Sequence, residues 1–155
     1  MAVRKDGLNF KLNKMKHIII ILLLLLSLTL TAQLKVVDGD TFYYNGSKIR
    51  LAYVDAPEKS QPQGQMSKDW LEGYLRGKDL KFELVTLDKY GRKVCIVWVN
   101  GINLSEKIVE QGYAWNYDYF SKSEYLESLE RTARVNKRGI WKYNNNIEPN
   151  VWRKL

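Results

Sequence analysis

Leu34-Lys35-Val36-Val37-Asp38-Gly39-Asp40-Thr41-Phe42-Tyr43-Tyr44-Asn45-Gly46-Ser47-Lys48-Ile49-Arg50-Leu51 is the stretch on which the fold turns. Leu34 to Val37 is short and apolar, and Asp38-Gly39-Asp40 punctuates it. Thr41 to Tyr44 resumes in aromatic and β-branched residues. Asn45-Gly46 then makes a strong two-residue hairpin signal, because both residues accept a positive φ. Lys48 to Val54 reads as a third strand that ends before Asp55-Ala56-Pro57.

Downstream, a loop rich in Gln, Pro and Gly (Lys59 to Gly64) leads into a helix expected around Met66 to Leu75. There Met66, Trp70 and Tyr74 recur every four residues, with Leu71 and Leu75 beside them on one face. Gly77 is its expected cap. Leu80 to Val85 alternates and Val94 to Val99 is nearly all apolar, which predicts two more strands joined through Asp88-Lys89-Tyr90-Gly91-Arg92. After a turn at Asn100-Gly101, a short helix is expected over Leu104 to Gln111. A last helix over Ser123 to Asn136 places Leu126, Leu129 and Ala133 on one face. Five strands with helices after the third and fifth predict an α+β fold, a five-stranded OB-fold β-barrel with three flanking α-helices.

Upstream, residues 1–32 read as a separate segment. Ile18 to Leu30 is an almost unbroken apolar run of 13 residues behind Lys11, Lys14, Lys16 and His17, and it ends at Thr31-Ala32-Gln33. A basic start, a short apolar core and a small residue at the end are the marks of a secretory signal peptide. Thirteen helical residues rise only about 20 Å, short of a ~30 Å hydrocarbon core. The alternative is an uncleaved N-terminal anchor, and Met15 is a second candidate start. The expected domain is therefore 33–155, in a secreted or periplasmic protein, membrane-anchored if the leader stays.

The whole chain has 25 basic and 17 acidic residues, a net of +8, whereas residues 33–155 hold 20 and 16, a net of +4. That mild bias is compatible with a polyanionic partner without demanding one. The single histidine, His17, lies in the leader, so the domain has no imidazole for acid–base work or metal ligation. The single cysteine, Cys95, excludes an intramolecular disulfide and a cysteine-rich zinc site. Its apolar neighbours mark it as a buried strand residue. Chemistry must come from carboxylates, arginine, lysine, tyrosine and a metal.

Three clusters could supply it: Asp38-Gly39-Asp40-Thr41, Arg50 with Asp55-Ala56-Pro57-Glu58, and Asp88-Lys89-Tyr90-Gly91-Arg92. Each alone is an ordinary turn or loop. All three lie at strand ends, where a barrel can gather them. Converging Asp38, Asp40, Asp55 and Glu58 would repel one another, and a hard divalent cation resolves that repulsion. Arg50 and Arg92 suit the negative charge that builds on a phosphodiester under attack. Glu58 could orient or deprotonate the attacking water.

In order and content these motifs resemble the staphylococcal nuclease-like (thermonuclease) family. The likeness extends through Gln61-Pro62-Gln63-Gly64, Asn103 to Gly112, Arg138-Gly139-Ile140-Trp141 and the tail from Pro149 to Lys154. The resemblance implies Asp40 and Asp55 as direct Ca²⁺ ligands, the Ala56 backbone carbonyl as a third ligand, and Asp38 as an outer-sphere carboxylate. It implies Arg50 and Arg92 as catalytic arginines and Glu58 as general base, with Lys89 and Tyr90 on a substrate phosphate. The implied reaction is hydrolysis of the P–O5′ bond of DNA and RNA to 3′-phosphate ends. Single-stranded nucleic acid is the preferred partner, and the protein is expected to be a monomer without a protein partner.

Two features depart from the family pattern. The stretch between Asp40 and Arg50 is short, implying a tight hairpin, and the aromatics after Gly112 do not align with the family's base-stacking tyrosines. Tyr117 and Tyr119 are the candidates taken here, each stack being worth about 1–3 kcal/mol. The competing readings are an inactive OB-fold module that binds single-stranded nucleic acid, and a secreted OB-type domain for oligosaccharides or peptides.

Overall fold

The computed structural model describes residues 10–21, 33–117 and 123–155. The chain divides into two compact units, Met1–Ala32 and Gln33–Leu155. In the first, residues 10–21 form helix α1, with exposed side chains. Among the described residues no helix is long and apolar enough to cross a membrane.

The second unit is built on one mixed sheet. Strands β1 (Leu34–Val36), β2 (Thr41–Tyr44) and β3 (Ser47–Leu51) form an antiparallel meander. Asn45-Gly46 makes its second turn with both residues at positive φ. Strand β4 (Val54–Asp55) leaves this sheet, and β5 (Leu80–Leu87) and β6 (Lys93–Val99) form the second hairpin. Parallel pairing of β3 with β6 joins the two halves, giving the order β1-β2-β3-β6-β5. The short β7 (Ile102–Asn103) pairs with β6, and β8 (Trp115–Asn116) pairs with β4 in a separate ribbon.

Alternation along the strands decides where the core lies. Phe42, Ile49, Leu51, Cys95, Val97 and Val99 point to one face and are buried there. Burial of each large side chain contributes about 1.5–3 kcal/mol. Helices cover that face: α2 (Gly64–Leu75) buries Leu71 and Leu75, and α3 (Leu104–Glu110) buries Leu104, Ile108 and Val109. Helix α4 (Glu124–Val135) adds Leu126 and Ala133, with Ser123 capping it by accepting from the Leu126 N–H. A 3-10 turn over Gly139–Lys142 and a short helix α5 (Pro149–Trp152) close the chain. Trp70 stacks on Tyr74 and Tyr113, at centroid distances of 4.9 and 5.2 Å, so the aromatic row of α2 packs against the neighbouring loop.

Two expectations need correction. The strand expected over Lys48 to Val54 is broken, because Tyr53 adopts φ +65°. The Ala52 N–H bonds the Cys95 carbonyl, and Ser105 Oγ donates to the Ala52 carbonyl, which pins the break. The five-stranded barrel is also not what forms. Among the described residues the edge strands β1 and β5 share no ladder, so the sheet stays open. Phe82 of β5 instead bridges the gap through its ring, 5.1 Å from Tyr44 and 6.5 Å from Phe42. Five of the eight strand segments match the expected strands in place, and α5 and α1 add to the three expected helices.

Candidate active site

The turn between β1 and β2 delivers the first carboxylates. Gly39 lies so close to α2 that a Cβ would stand 2.6 Å from Ala56 Cβ and 2.7 Å from Ser67 Cβ. Only glycine allows that approach, and it fixes where the flanking aspartates point. Asp40 is buried and fully engaged: Oδ1 accepts from Thr41 Oγ1 at 2.9 Å, and Oδ2 accepts from the Ala56 N–H at 2.8 Å. Asp38 sits behind it and accepts from the Asp40 N–H at 3.2 Å.

The break at Tyr53 turns Asp55 toward the same point. Arg50, from β3, lies between the two carboxylates, its Nη2 3.2 Å from Asp40 Oδ2 and 3.0 Å from Asp55 Oδ1. Its Nη1 donates to the Leu51 carbonyl at 2.6 Å, which holds the guanidinium in place. Asp40 at the start of β2, Arg50 near the end of β3 and Asp55 in β4 meet because these strand ends lie together.

Glu58 is held by its loop. Its N–H donates to Gln61 Oε1 at 3.1 Å, and its carbonyl accepts from the Gln61 N–H at 2.8 Å. Gly64, at the start of α2, packs against that carbonyl, where a Cβ would collide with backbone. The buried Gln61 side chain also donates from Nε2 to the Ile147 carbonyl, tying the loop to the C-terminal segment. There Arg153 reaches back: Nη2 lies 2.6 Å from Asp55 Oδ2, and Nη1 lies 3.3 Å from Asp55 Oδ1 and 2.7 Å from Glu58 Oε1.

Arg92 stands at the end of the β5–β6 hairpin. Asp88 shapes that hairpin by accepting from the Tyr90 and Arg92 N–H groups, both at 2.9 Å, and from Arg92 Nε at 2.6 Å. Arg92 Nη1 then approaches Thr41 Oγ1 at 3.5 Å, so the second arginine flanks the Asp40 turn. Lys89 and Arg92 both lie over the exposed Tyr90 ring, at 5.1 and 5.6 Å from its centroid. Tyr117 donates its backbone N–H to the Tyr53 carbonyl at 2.9 Å, near the Asp55 strand. Tyr119 lies outside the described residues.

Burial moves two of these carboxylates away from their usual range. Burial, reinforced by the charge of Asp40, pushes Asp38 from 3.8 up to about 7. Burial also pushes Asp55 up, against the hydrogen bonds from Arg153. A cluster of buried carboxylates offering oxygen donors alone would suit a hard divalent ion. Among the described residues no three acidic, histidine or cysteine side chains enclose a metal by themselves. Asp40 and Asp55 would hold such an ion, with Asp38 behind Asp40. Water would complete the shell.

Sequence reasoning missed Arg153 as part of the site. Its contact with Asp55 spans 98 residues, and no local pattern encodes it. The one available signal was a guanidinium in the tail that the family likeness already covered. Thr41 and Gln61 were missed as supports although both lie in the motifs: Thr41 donates to the adjacent Asp40, and Gln61 joins Glu58 to the distant Ile147.

Comparison with known proteins identifies the family. Residues 48–143 match the family described as staphylococcal nuclease homologue. An uncharacterized endonuclease of Escherichia coli is 34% identical over 125 residues, covering 77% of this chain and 82% of the relative. One of Haemophilus influenzae is 35% identical over 126 residues, covering 78% and 71%. A staphylococcal-like nuclease of Arabidopsis thaliana is 36% identical over 107 residues, 69% of this chain, which spans 33% of that longer protein.

Proposed function

Since this chain belongs to the staphylococcal nuclease homologue family, we propose that it is a calcium-dependent nuclease that hydrolyses the P–O5′ bond of DNA and RNA. The products carry 3′-phosphate ends. One observation carries the reading: a single nitrogen of Arg50 lies within 3.2 Å of both Asp40 and Asp55. A phosphate arriving there meets a guanidinium and a pair of cation-binding carboxylates together.

Bound at Asp40 and Asp55, a calcium ion would supply Lewis-acid charge to the phosphate oxygens. Arg50 and Arg92 approach from two strands and take up the charge that develops on those oxygens. Glu58, at the mouth, accepts the proton of the attacking water. Lys89 and Tyr90 hold a neighbouring phosphate on the exposed hairpin, while Tyr117 and Tyr119 offer rings to splayed bases. Backbone contacts of this kind favour single strands and little sequence preference. The leader supports export, and the protein acts as a monomer outside the cytoplasm or anchored to its membrane.

The test is cleavage of denatured DNA and RNA by the full chain in Ca²⁺, Mg²⁺ and chelator, with Arg50→Ala alongside. Cleavage that needs Ca²⁺, leaves 3′-phosphate ends and vanishes in the variant is the expected result. Salt-sensitive binding without cleavage in any metal would make the protein a binding module instead.

A further inference from the structure

Among the described residues, Arg153 is a charge held on the site's carboxylates that this reaction leaves unused. It follows α5, at the end of a segment fastened to the site by the Gln61 bond to Ile147 and by Gln63 Nε2, which donates to Asn145 Oδ1 at 2.9 Å. Pro149 is buried, and the Val151, Trp152 and Arg153 N–H groups close the last turn on Glu148 and Pro149. The tail is thus positioned as a unit, and its guanidinium arrives at the carboxylates in a fixed orientation.

The grip is a fork. Both Asp55 oxygens face Arg153 nitrogens, at 2.6 and 3.3 Å, and Glu58 accepts from Nη1 at 2.7 Å. On its other side Asp55 faces Arg50 at 3.0 Å. The Asp55 side chain is 5% exposed, whereas that of Arg153 is 43% exposed, so the guanidinium lies on the solvent side and has room to leave. A divalent cation on Asp55 would stand next to this guanidinium on the same carboxylate, and two positive groups there repel.

We propose that Arg153 is a tethered cation that neutralises Asp55 in the metal-free site and competes with the divalent ion for it. This inference rests on the nuclease reading of the same site. Ion binding releases the fork from Asp55 and leaves Arg153 on Glu58 alone, where it positions the carboxylate beside the incoming water. The tail then acts as a positioning element whose hold depends on the ion.

The experiment compares the full-length wild type with Arg153→Gln and Arg153→Lys in the absence of nucleic acid. Calcium affinity is measured by titration calorimetry, and folding by thermal melting. The glutamine variant should bind Ca²⁺ about ten-fold more tightly, since competition by one charge–charge contact is of that order. The lysine variant, with charge but no fork, should fall between. In the wild type, Ca²⁺ should speed amide hydrogen exchange at Val151 to Lys154.

Unchanged or weaker Ca²⁺ binding in both variants would overturn the proposal, as would slowed exchange in the tail of the wild type. Should the wild type neither bind Ca²⁺ nor cut nucleic acid, the nuclease reading falls, and the proposal with it. If it binds and cuts while the variants match it in affinity, the proposal alone falls.

Discussion

Arg50 donates to the Leu51 carbonyl from one terminal nitrogen and meets Asp40 and Asp55 with the other. A lysine would keep the charge, but one ammonium on a flexible stem cannot hold that planar arrangement. Arg50→Lys should therefore lower the cleavage rate about 10²–10³-fold while the chain stays folded. Kinetics with denatured DNA, beside a urea melt, would check it, and a variant keeping half its rate would show that charge alone suffices. Gly39 makes a different demand, because the space its side chain would need is already taken by Ala56 and Ser67. Neither neighbour is a flexible side-chain end that could swing away. Gly39→Ala should cost about 1–3 kcal/mol in urea unfolding, the usual range for overpacking. It should also reduce cleavage, since relief of the clash moves Asp38 and Asp40.

At the scale of elements, the hairpin from β5 to β6 owes its shape to Asp88, whose carboxylate gathers three hydrogen bonds, two from Arg92 and one from Tyr90. Desolvation is the largest single influence on the Asp88 carboxyl and pushes it up, but the Arg92 guanidinium and the Arg92 and Tyr90 N–H groups together hold it below its usual 3.8. A folded pKa below the unfolded one stabilises the native state above 3.8, and the gain is lost as pH falls through the lower folded value. Asp88→Ala should abolish that acid-side dependence, which native-state melts between pH 2 and 5 would show. The same change should slow cleavage at neutral pH, because Arg92 loses the partner that aims it at Thr41. Elements of this kind were legible in the sequence. Asn45-Gly46, the aromatic row of α2 and the apolar run of β6 carry their periodicity and turn chemistry locally. The break at Tyr53 was not, since a tyrosine at positive φ is imposed by the Ala52 contacts with Cys95 and Ser105 and not by its own preference.

For the molecule as a whole, folding concentrates carboxylates that the sequence separates. Asp38 and Asp40 come from one turn and Asp55 from strand β4, and the charge they share was inferable from three ordered motifs at strand ends. The cations that answer them were only half legible: Arg50 and Arg92 stand inside those motifs, whereas Arg153 arrives through packing of the tail on Gln61. Openness of the sheet was also hidden, because edge pairing depends on strands distant in sequence. If the ion binds as proposed, this charge arrangement makes the stability of the whole domain depend on it. Burial holds Asp38 and Asp55 above their usual range, a penalty that a divalent cation bound as proposed would remove. Ligand that binds only the native state stabilises it by about 2.7 kcal/mol at a hundred times its dissociation constant. For a domain of this size that corresponds to a rise in melting temperature of roughly 10 °C. Saturating Ca²⁺ should produce such a shift in the full chain, chelator should reverse it, and Asp40→Asn should shrink it. A melting temperature indifferent to Ca²⁺ in a chain that still cuts nucleic acid would mean that the ion enters only together with the phosphate, and that Arg50 and Arg153 suffice to neutralise the carboxylates until then.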